Sequence, residues 1–265
     1  MIEVHVNQDI ALPHGFSEYV IESERDLDLT FSGSGKCQAF IRIRKCPNLR
    51  IRTFTDAGAD ISYLFWNDSD TPVTADESHE VMADASLKIA YGECNHAETK
   101  RNVWVALRQN GAYALVSSAT LAEDKKNTRM EVVNYAPHTV GEMKNFAVVL
   151  KGGNFFIDAI GKIVKGAYAS QSHQTSRALC FEEGQNSEII PELLIDENDV
   201  QASHAMSIGR MDDEQLYYLQ SRGLSMRQSI MLMSTGYLMP ITEFIDDEGL
   251  KERLKNEMEE KIARL

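Results

Sequence analysis

Apolar and polar positions alternate in short runs along most of the chain. Ile41-Arg-Ile43-Arg and Leu49-Arg-Ile51-Arg have the period of half-buried strands. Pro47-Asn48 separates them, and Gly33-Ser-Gly35 before the first is turn punctuation. Ile61-Ser-Tyr63-Leu64-Phe65-Trp66 predicts a stronger strand, ended by Asn67-Asp68-Ser69-Asp70 and Pro72. From Ser86 the rhythm becomes regular, with β-forming runs at 87–91, 103–107, 113–116, 132–133, 146–150, 155–157, 163–164, 178–181 and 193–195. Many short strands at near-even spacing predict a sandwich, a barrel or a stacked-coil β-helix, and periodicity alone leaves the three open. No helical stripe interrupts residues 86–205, which disfavours an alternating α/β sheet.

At Met211 the character changes. Asp212 followed three positions later by Gln215 is a variant capping box, opening a helix through Leu216 and Leu219 to Gly223. Ser225-Met-Arg-Gln228 is the capping box itself and opens a second helix running to Gly236. Beyond Pro240, Leu250, Leu254, Met258 and Ile262 recur at i, i+4, one face of a third helix. The predicted plan is an N-terminal β-rich region over 1–85, a β core over 86–210 and a small helical domain over 211–265.

With 265 residues, 43% apolar and 25% charged, the chain can bury a sizeable core, which excludes global disorder. A net charge of -13 argues against a general nucleic-acid binder. The start, Met1-Ile-Glu-Val-His-Val, has no basic segment leading an apolar one, and no run approaches the ~18 apolar residues of a membrane span. A cytoplasmic protein with no membrane partner is therefore expected. Cys37, Cys46, Cys94 and Cys180 form neither a CxxC pair nor a zinc-finger spacing, so four free, mostly buried thiols are expected. No P-loop sequence is present, so the chain is expected to bind no nucleotide itself.

Ala202-Ser-His204-Ala-Met-Ser-Ile-Gly209, followed by Leu216-Tyr217-Tyr218-Leu219-Gln-Ser221-Arg222-Gly223-Leu224, resembles the signature of the SufB/SufD family, in its SufD form. In that family a "CSHG…G" stretch closing the β core runs into "…LFYLRSRGI" at the start of a helical tail. Gly161-Lys-Ile163 resembles the family's "F-x-G-x-I" turn, with Ala159 at the Phe position. Residues 174–193 resemble its "Q-T-N-R-x-L-L-L … P-x-L" stretch, and Asn134-Tyr-Ala-Pro137 its "H-x-A-P" element with Asn134 for the histidine. The resemblance is good over about 130–245 and weak before that. It implies a mainly β fold: a right-handed parallel β-helix core with a small C-terminal α-helical domain, here in a compact form. It also implies a non-enzymatic scaffold of iron–sulfur cluster assembly. Such a scaffold binds a SufC-type ABC ATPase through its helical domain and forms a homodimer, or a heterodimer with a SufB-like subunit, through β-helix edges. A transient iron–sulfur cluster is the implied cargo.

Such a scaffold needs thiolate, imidazole or carboxylate ligands that release what they hold. His204 matches the family's interface histidine. Two readings of it stay open: a cluster ligand at the end of the last coil, or a histidine bonded to a buried carbonyl at the β-to-helix junction. The family's cysteine two residues earlier is Ala202 here. The SufB-type glutamate after the histidine is Ala205, and the SufB-type cysteine of the upstream stretch falls at Thr175. Cys180, in the same region, reads as a core thiol or a ligand. Cys94 with His96 is a weak pair, two ligands on one strand face, and His173 an exposed polar residue. Tyr217, Tyr218, Leu219, Arg222, Gly223, Tyr237 and Leu238 are the expected partner-binding residues, within a Met- and Tyr-rich set suited to adaptable contacts.

Two alternatives compete. One is a degenerate SufD-like paralogue that keeps the fold and dock without cluster chemistry. The other is a carbohydrate-active enzyme on a β-helix, which needs paired carboxylates; Asp158, Glu182, Glu183, Glu188 and Glu192 are scattered and read more simply as solvated turns.

Overall fold

The computed structural model describes residues 1–181, 184–210 and 212–263. Glu182 and Glu183, weighed above as acids, and Met211, where the character changes, lie outside the described residues. Among the described residues, one parallel sheet contains β1 (Ile2–Val4), β3 (Gly15–Glu22), β5 (Lys36–Lys45), β7 (Asp60–Asn67) and β9 (Ser86–Glu93). It continues with β11 (Tyr113–Ala122), β13 (Val140–Val149), β15 (Ser170–Cys180) and β17 (Val200–Arg210). The other contains β2 (Gln8–Ala11), β4 (Leu27–Gly33), β6 (Asn48–Thr55), β8 (Val73–Val81) and β10 (Thr99–Leu107). It continues with β12 (Lys125–Asn134), β14 (Asn154–Ile163) and β16 (Asn186–Ile195). Strict alternation of the chain between two parallel sheets makes a β-helix, each rung one strand of either sheet. The sandwich and the barrel, left open by spacing, are thereby set aside. The ladders β7–β9 and β8–β10 carry both sheets past residues 85 and 86 without a break.

The rungs lengthen along the chain. Asp28 N donates to Asn7 Oδ1 from 21 positions on, Asn67 Nδ2 reaches Glu93 across 26, and Asn186 Nδ2 reaches Asn154 Oδ1 across 32. Inside, inward residues stack in columns. Tyr19, Phe31, Ile41, Tyr63, Phe65, Ile89, Val105, Val116 and Met143 belong to one continuous core. Each fully buried side chain of this kind stabilises by about 1.5–3 kcal/mol relative to exposure.

The strand readings hold with two differences. Run 155–157 and Ile163 belong to one strand, β14, and Gly161 lies inside it rather than in a turn. A Cβ at Gly161 would sit 2.2 Å from Ser172 Oγ and 2.8 Å from Gln174 Nε2, so the lumen leaves room there for glycine alone. β8 escaped the apolar pattern because its inward positions include Glu77 and His79.

The tail contains α1 (Asp213–Ser221), α2 (Met226–Leu238), a 3-10 turn (Met239–Phe244) and α3 (Glu248–Ala263). The Ser225 capping box is formed: Gln228 N donates to Ser225 Oγ and Ser225 N to Gln228 Oε1. α2 continues past Gly236, where the sequence suggested an end, because Leu238 has a core to enter. Leu250, Leu254, Met258 and Ile262 are all buried, as their spacing predicts. They pack on the outer face of the first sheet, against Phe40, Leu64, Trp66, Ala90, Ala119, Leu121 and Val148. Outward residues of a β-helix ordinarily face water, and these are apolar because the tail covers them.

Candidate functional site

The predicted features meet at the wide end of the solenoid. β17 pairs with β15, placing Ala202 on Ser172, His204 on Gln174, Met206 on Ser176 and Ile208 on Ala178. Those four β15 residues are buried and inward, so their β17 partners form the inward face of a rung on which, among the described residues, nothing is stacked. Met206 is 55% and Ile208 45% exposed. β16 completes the rung, with Ile189, Pro191 and Leu193 stacked on Ile157, Ala159 and Gly161. Beneath lies a polar floor. Gln174 Nε2 donates to the Glu192 carbonyl at 2.7 Å, and Ser118, Asn145 and Ser176 form a hydrogen-bonded column. β17 is eleven residues long and, among the described residues, pairs along one edge only. A long open edge of this kind is a template for strand pairing.

His204 is exposed on this rung and has no hydrogen-bond partner among the described residues, so the buried-carbonyl reading does not apply to it. The other ligand candidates lie elsewhere. Cys180 pairs with Arg210 while His204 pairs with Gln174, six strand positions away, about 20 Å at the usual rise. Its Sγ is buried in the lumen beside Ser187 Oγ at 3.5 Å. Cys94 is enclosed between the first sheet and the tail, and burial pushes its thiol up to about 12, which keeps it protonated and a poor metal ligand. His96 faces Glu123 rather than Cys94, and His173 bonds Ser203 Oγ at 2.7 Å across the β15–β17 ladder. Among the described residues, no group of three His, Cys, Asp or Glu is arranged to hold a metal ion. Asp158 is held by Arg129 Nη1 at 3.0 Å. Burial raises its carboxyl, Glu192 and Glu131 add to the rise, and Arg129 opposes it.

β17 runs almost directly into α1. Asp212 caps that helix, its Oδ1 accepting from Glu214 N at 2.9 Å. Gly223 (φ +93) ends it in the left-handed region that favours glycine. Tyr217 is 74% and Tyr218 56% exposed, with the Arg222 guanidinium over the Tyr218 ring at 5.2 Å. Leu219 is half-buried, and its carbonyl accepts from Leu224 N. Tyr237 meets Phe146 edge-to-face at 6.2 Å. Leu238 does not belong to this surface: it is fully buried where α2 meets the first sheet, so it presents nothing to a partner.

Two arrangements escaped sequence reasoning. In the lumen, Arg101 lies between Glu77 and Glu93, bonding Glu93 through Nε at 2.7 Å. The Tyr91 hydroxyl donates to Glu77 at 2.8 Å, and His79 Nδ1 meets Thr53 Oγ1 at 2.9 Å. Lys126 Nζ, lowered by burial, donates to Asn95 Oδ1 and the Ala97 carbonyl, both at 2.6 Å. Burial alone would raise the Glu77 carboxyl; Arg101 and its hydrogen bonds hold it below the ordinary range. Outside, Arg42 joins Asp68 and Glu257 at 2.9 Å, and Lys261 donates to Asp68 at 2.6 Å and to the Cys94 carbonyl at 3.1 Å. These pairs latch α3 to the solenoid. The only sequence signal of the luminal set was charge inside strand-like segments, and the latch, from a strand, a loop and a helix, had none.

Residues 15–237 match the family described as SUF system FeS cluster assembly, SufBD core domain. The chain is 31% identical over 181 residues to the iron–sulfur cluster assembly protein SufD of Bacillus subtilis, covering 68% of this chain and 41% of that protein. It is 26% identical over 149 residues to SufD of Escherichia coli, covering 55% of this chain and 35% of that protein. An iron–sulfur cluster assembly SufBD family protein of Mycobacterium tuberculosis is 28% identical over 130 residues, 49% of this chain and 15% of that protein. The matches thus span about two fifths or less of these relatives' lengths. Among the described residues no helix is long and apolar enough to cross a membrane. With a parallel β-helix, an open last rung and a helical arm directly after it, the chain belongs to the SufB/SufD family of iron–sulfur cluster assembly proteins and is SufD-like within it.

Proposed function

We propose that this chain is a scaffold subunit of an iron–sulfur cluster assembly complex, docking a SufC-type ABC ATPase on its helical arm and a second scaffold on its open rung. The observation that carries this reading is the continuity of β17, exposed along nearly its whole length, with α1, which turns Tyr217 and Tyr218 to solvent. Aromatic residues with one Arg stacked on them are the residue types that anchor protein interfaces. β17 offers backbone donors and acceptors along its free edge to a homodimer or to a SufB-like partner. His204 would contribute one ligand to a cluster passing through that junction, with the remaining ligands coming from the other chain. ATP hydrolysis would belong to the ATPase, and this chain would work by positioning rather than as an enzyme.

The test is co-purification with an ABC ATPase of the SUF system. Tyr217→Ala with Tyr218→Ala is expected to weaken binding at least about tenfold, as truncation of aromatic anchors does, while the melting temperature stays put. Retention of full binding by that variant would remove the arm from the reading. The degenerate-paralogue alternative is favoured by one observation, the burial of both Cys94 and Cys180. Anaerobic reconstitution with iron and sulfide, with and without His204→Ala, separates the two: a cluster spectrum that His204→Ala abolishes in the paired complex supports cluster handling, and identical spectra support the alternative.

A further inference from the structure

A groove of about 850 Å³ runs between α2 and α3, lined by neither Tyr217 and Tyr218 nor the open rung. Its two walls differ. On α2, Gln228, Met231, Leu232 and Thr235 follow one another at helical spacing along the groove, continued by Met239 at the start of the 3-10 turn. Ser234 and Leu238, toward the body beside this wall, are buried, and Met231 and Met239 pack in part against the same buried cluster. A surface helix ordinarily turns its long apolar side chains to the body; Leu232 is 53% exposed in the groove beside the half-buried Met231 and Met239. On α3 the wall is charged: Glu248, Lys251, Glu252, Lys255 and Glu259 line the groove while Leu250, Leu254 and Met258 point into the body.

The charges along the groove do not balance. With Glu243 from the 3-10 turn, the carboxylates outnumber the two lysines. Lys251 is already committed to Glu243 at 2.9 Å and Glu248 at 3.0 Å. Glu252 and Glu259 have no ion-pair partner among the described residues. We propose that the groove receives a basic amphipathic helix from a protein partner, its apolar ridge against Met231, Leu232 and Met239 and its Lys or Arg side chains against Glu252 and Glu259. Thioether side chains adapt to varied apolar ridges, and an apolar wall beside an acidic one is the complement of a basic amphipathic helix. A second copy of this chain fits less well, because the chain carries -13 and α3 itself is acidic. An anionic lipid surface is disfavoured for the same reason.

The inference does not rest on the ATPase reading, and the experiment keeps them apart. The full chain is titrated against a fluorescent sixteen-residue synthetic helix with Leu at i, i+3, i+4 and i+7 and Lys elsewhere, and against the same peptide with Glu for Lys. The basic peptide is expected to bind at least about tenfold tighter at low salt, the preference shrinking as salt screens the rim. Glu252→Lys with Glu259→Lys is expected to remove that preference. Leu232→Asp, at an exposed position, is expected to abolish binding without changing the melt. Tyr217→Ala with Tyr218→Ala should leave peptide binding intact, so loss of the ATPase dock and loss of the groove are read separately. Equal binding of the two peptides, no binding of either, indifference to the charge reversal, or self-association that Leu232→Asp disrupts would each overturn the proposal.

Discussion

The middle rungs and the last rung use the same strand geometry to opposite ends. Around β8, β9 and β10 the lumen closes over Glu77, Glu93, Arg101 and Lys126, all almost wholly out of water. At β16 and β17 the inward positions are open, and His204, Met206 and Ile208 face solvent instead of a further rung. The difference teaches where the molecule can change. Charges enclosed in the middle must stay matched, because an unpaired buried ion is costly, whereas the last rung has side chains whose surroundings another chain can complete.

The sharpest way to break that contrast is Arg101→Leu. It strands Glu77 and Glu93 in the lumen and is expected to cost about 3–5 kcal/mol in denaturant unfolding. A cost under about 1 kcal/mol would mean that the middle rungs are as yielding as the end. Next comes Leu254→Ala in the covered face, expected at about 2–5 kcal/mol for a buried truncation. Met206→Ala, at the open rung, is expected within about 0.5 kcal/mol of the parent, as for other exposed positions. A smaller effect should appear with pH. Burial alone would raise the Asp68 carboxyl, but Lys261 and Arg42 outweigh it and hold it below its ordinary value. Its folded value being the lower, the unfolded chain binds the extra proton first as pH falls. The latch therefore contributes fully above about pH 4 and weakens as acid carries the pH down through the folded value. Asp68→Asn should flatten that part of the acid titration, read from the fluorescence of Trp66, which lies beneath the tail. Smallest of all, His204→Ala should leave the melt unchanged, and a shift of several degrees would show the open rung to be structural.

β5 and β6 were legible from period-two alternation, and β7 and β11 from short runs of β-forming residues. β8 was hidden because Glu77 and His79 occupy inward places that the pattern expects to be apolar. The tail's three helices were legible from capping residues and i, i+4 spacing. Its attachment was not, since Trp66, Leu64 and Phe40 on one strand face and Leu254 and Met258 on a distant helix carry no mark of each other. At the candidate site, the family string singled out His204 and Tyr217, which lie exposed on the last rung and on α1. It misjudged Leu238, because a helix with apolar residues on two sides does not announce which side the body takes.

The growth of the rungs from 21 to 32 positions gives the solenoid a taper. In a uniform repeat array, a unit can be copied or deleted and its neighbours will still stack. Here the turns at the two ends are cut to different circumferences, so joining a short one directly to a long one would leave their hydrogen bonds out of step. The solenoid is graded rather than uniform, and a turn taken from one end does not fit the other.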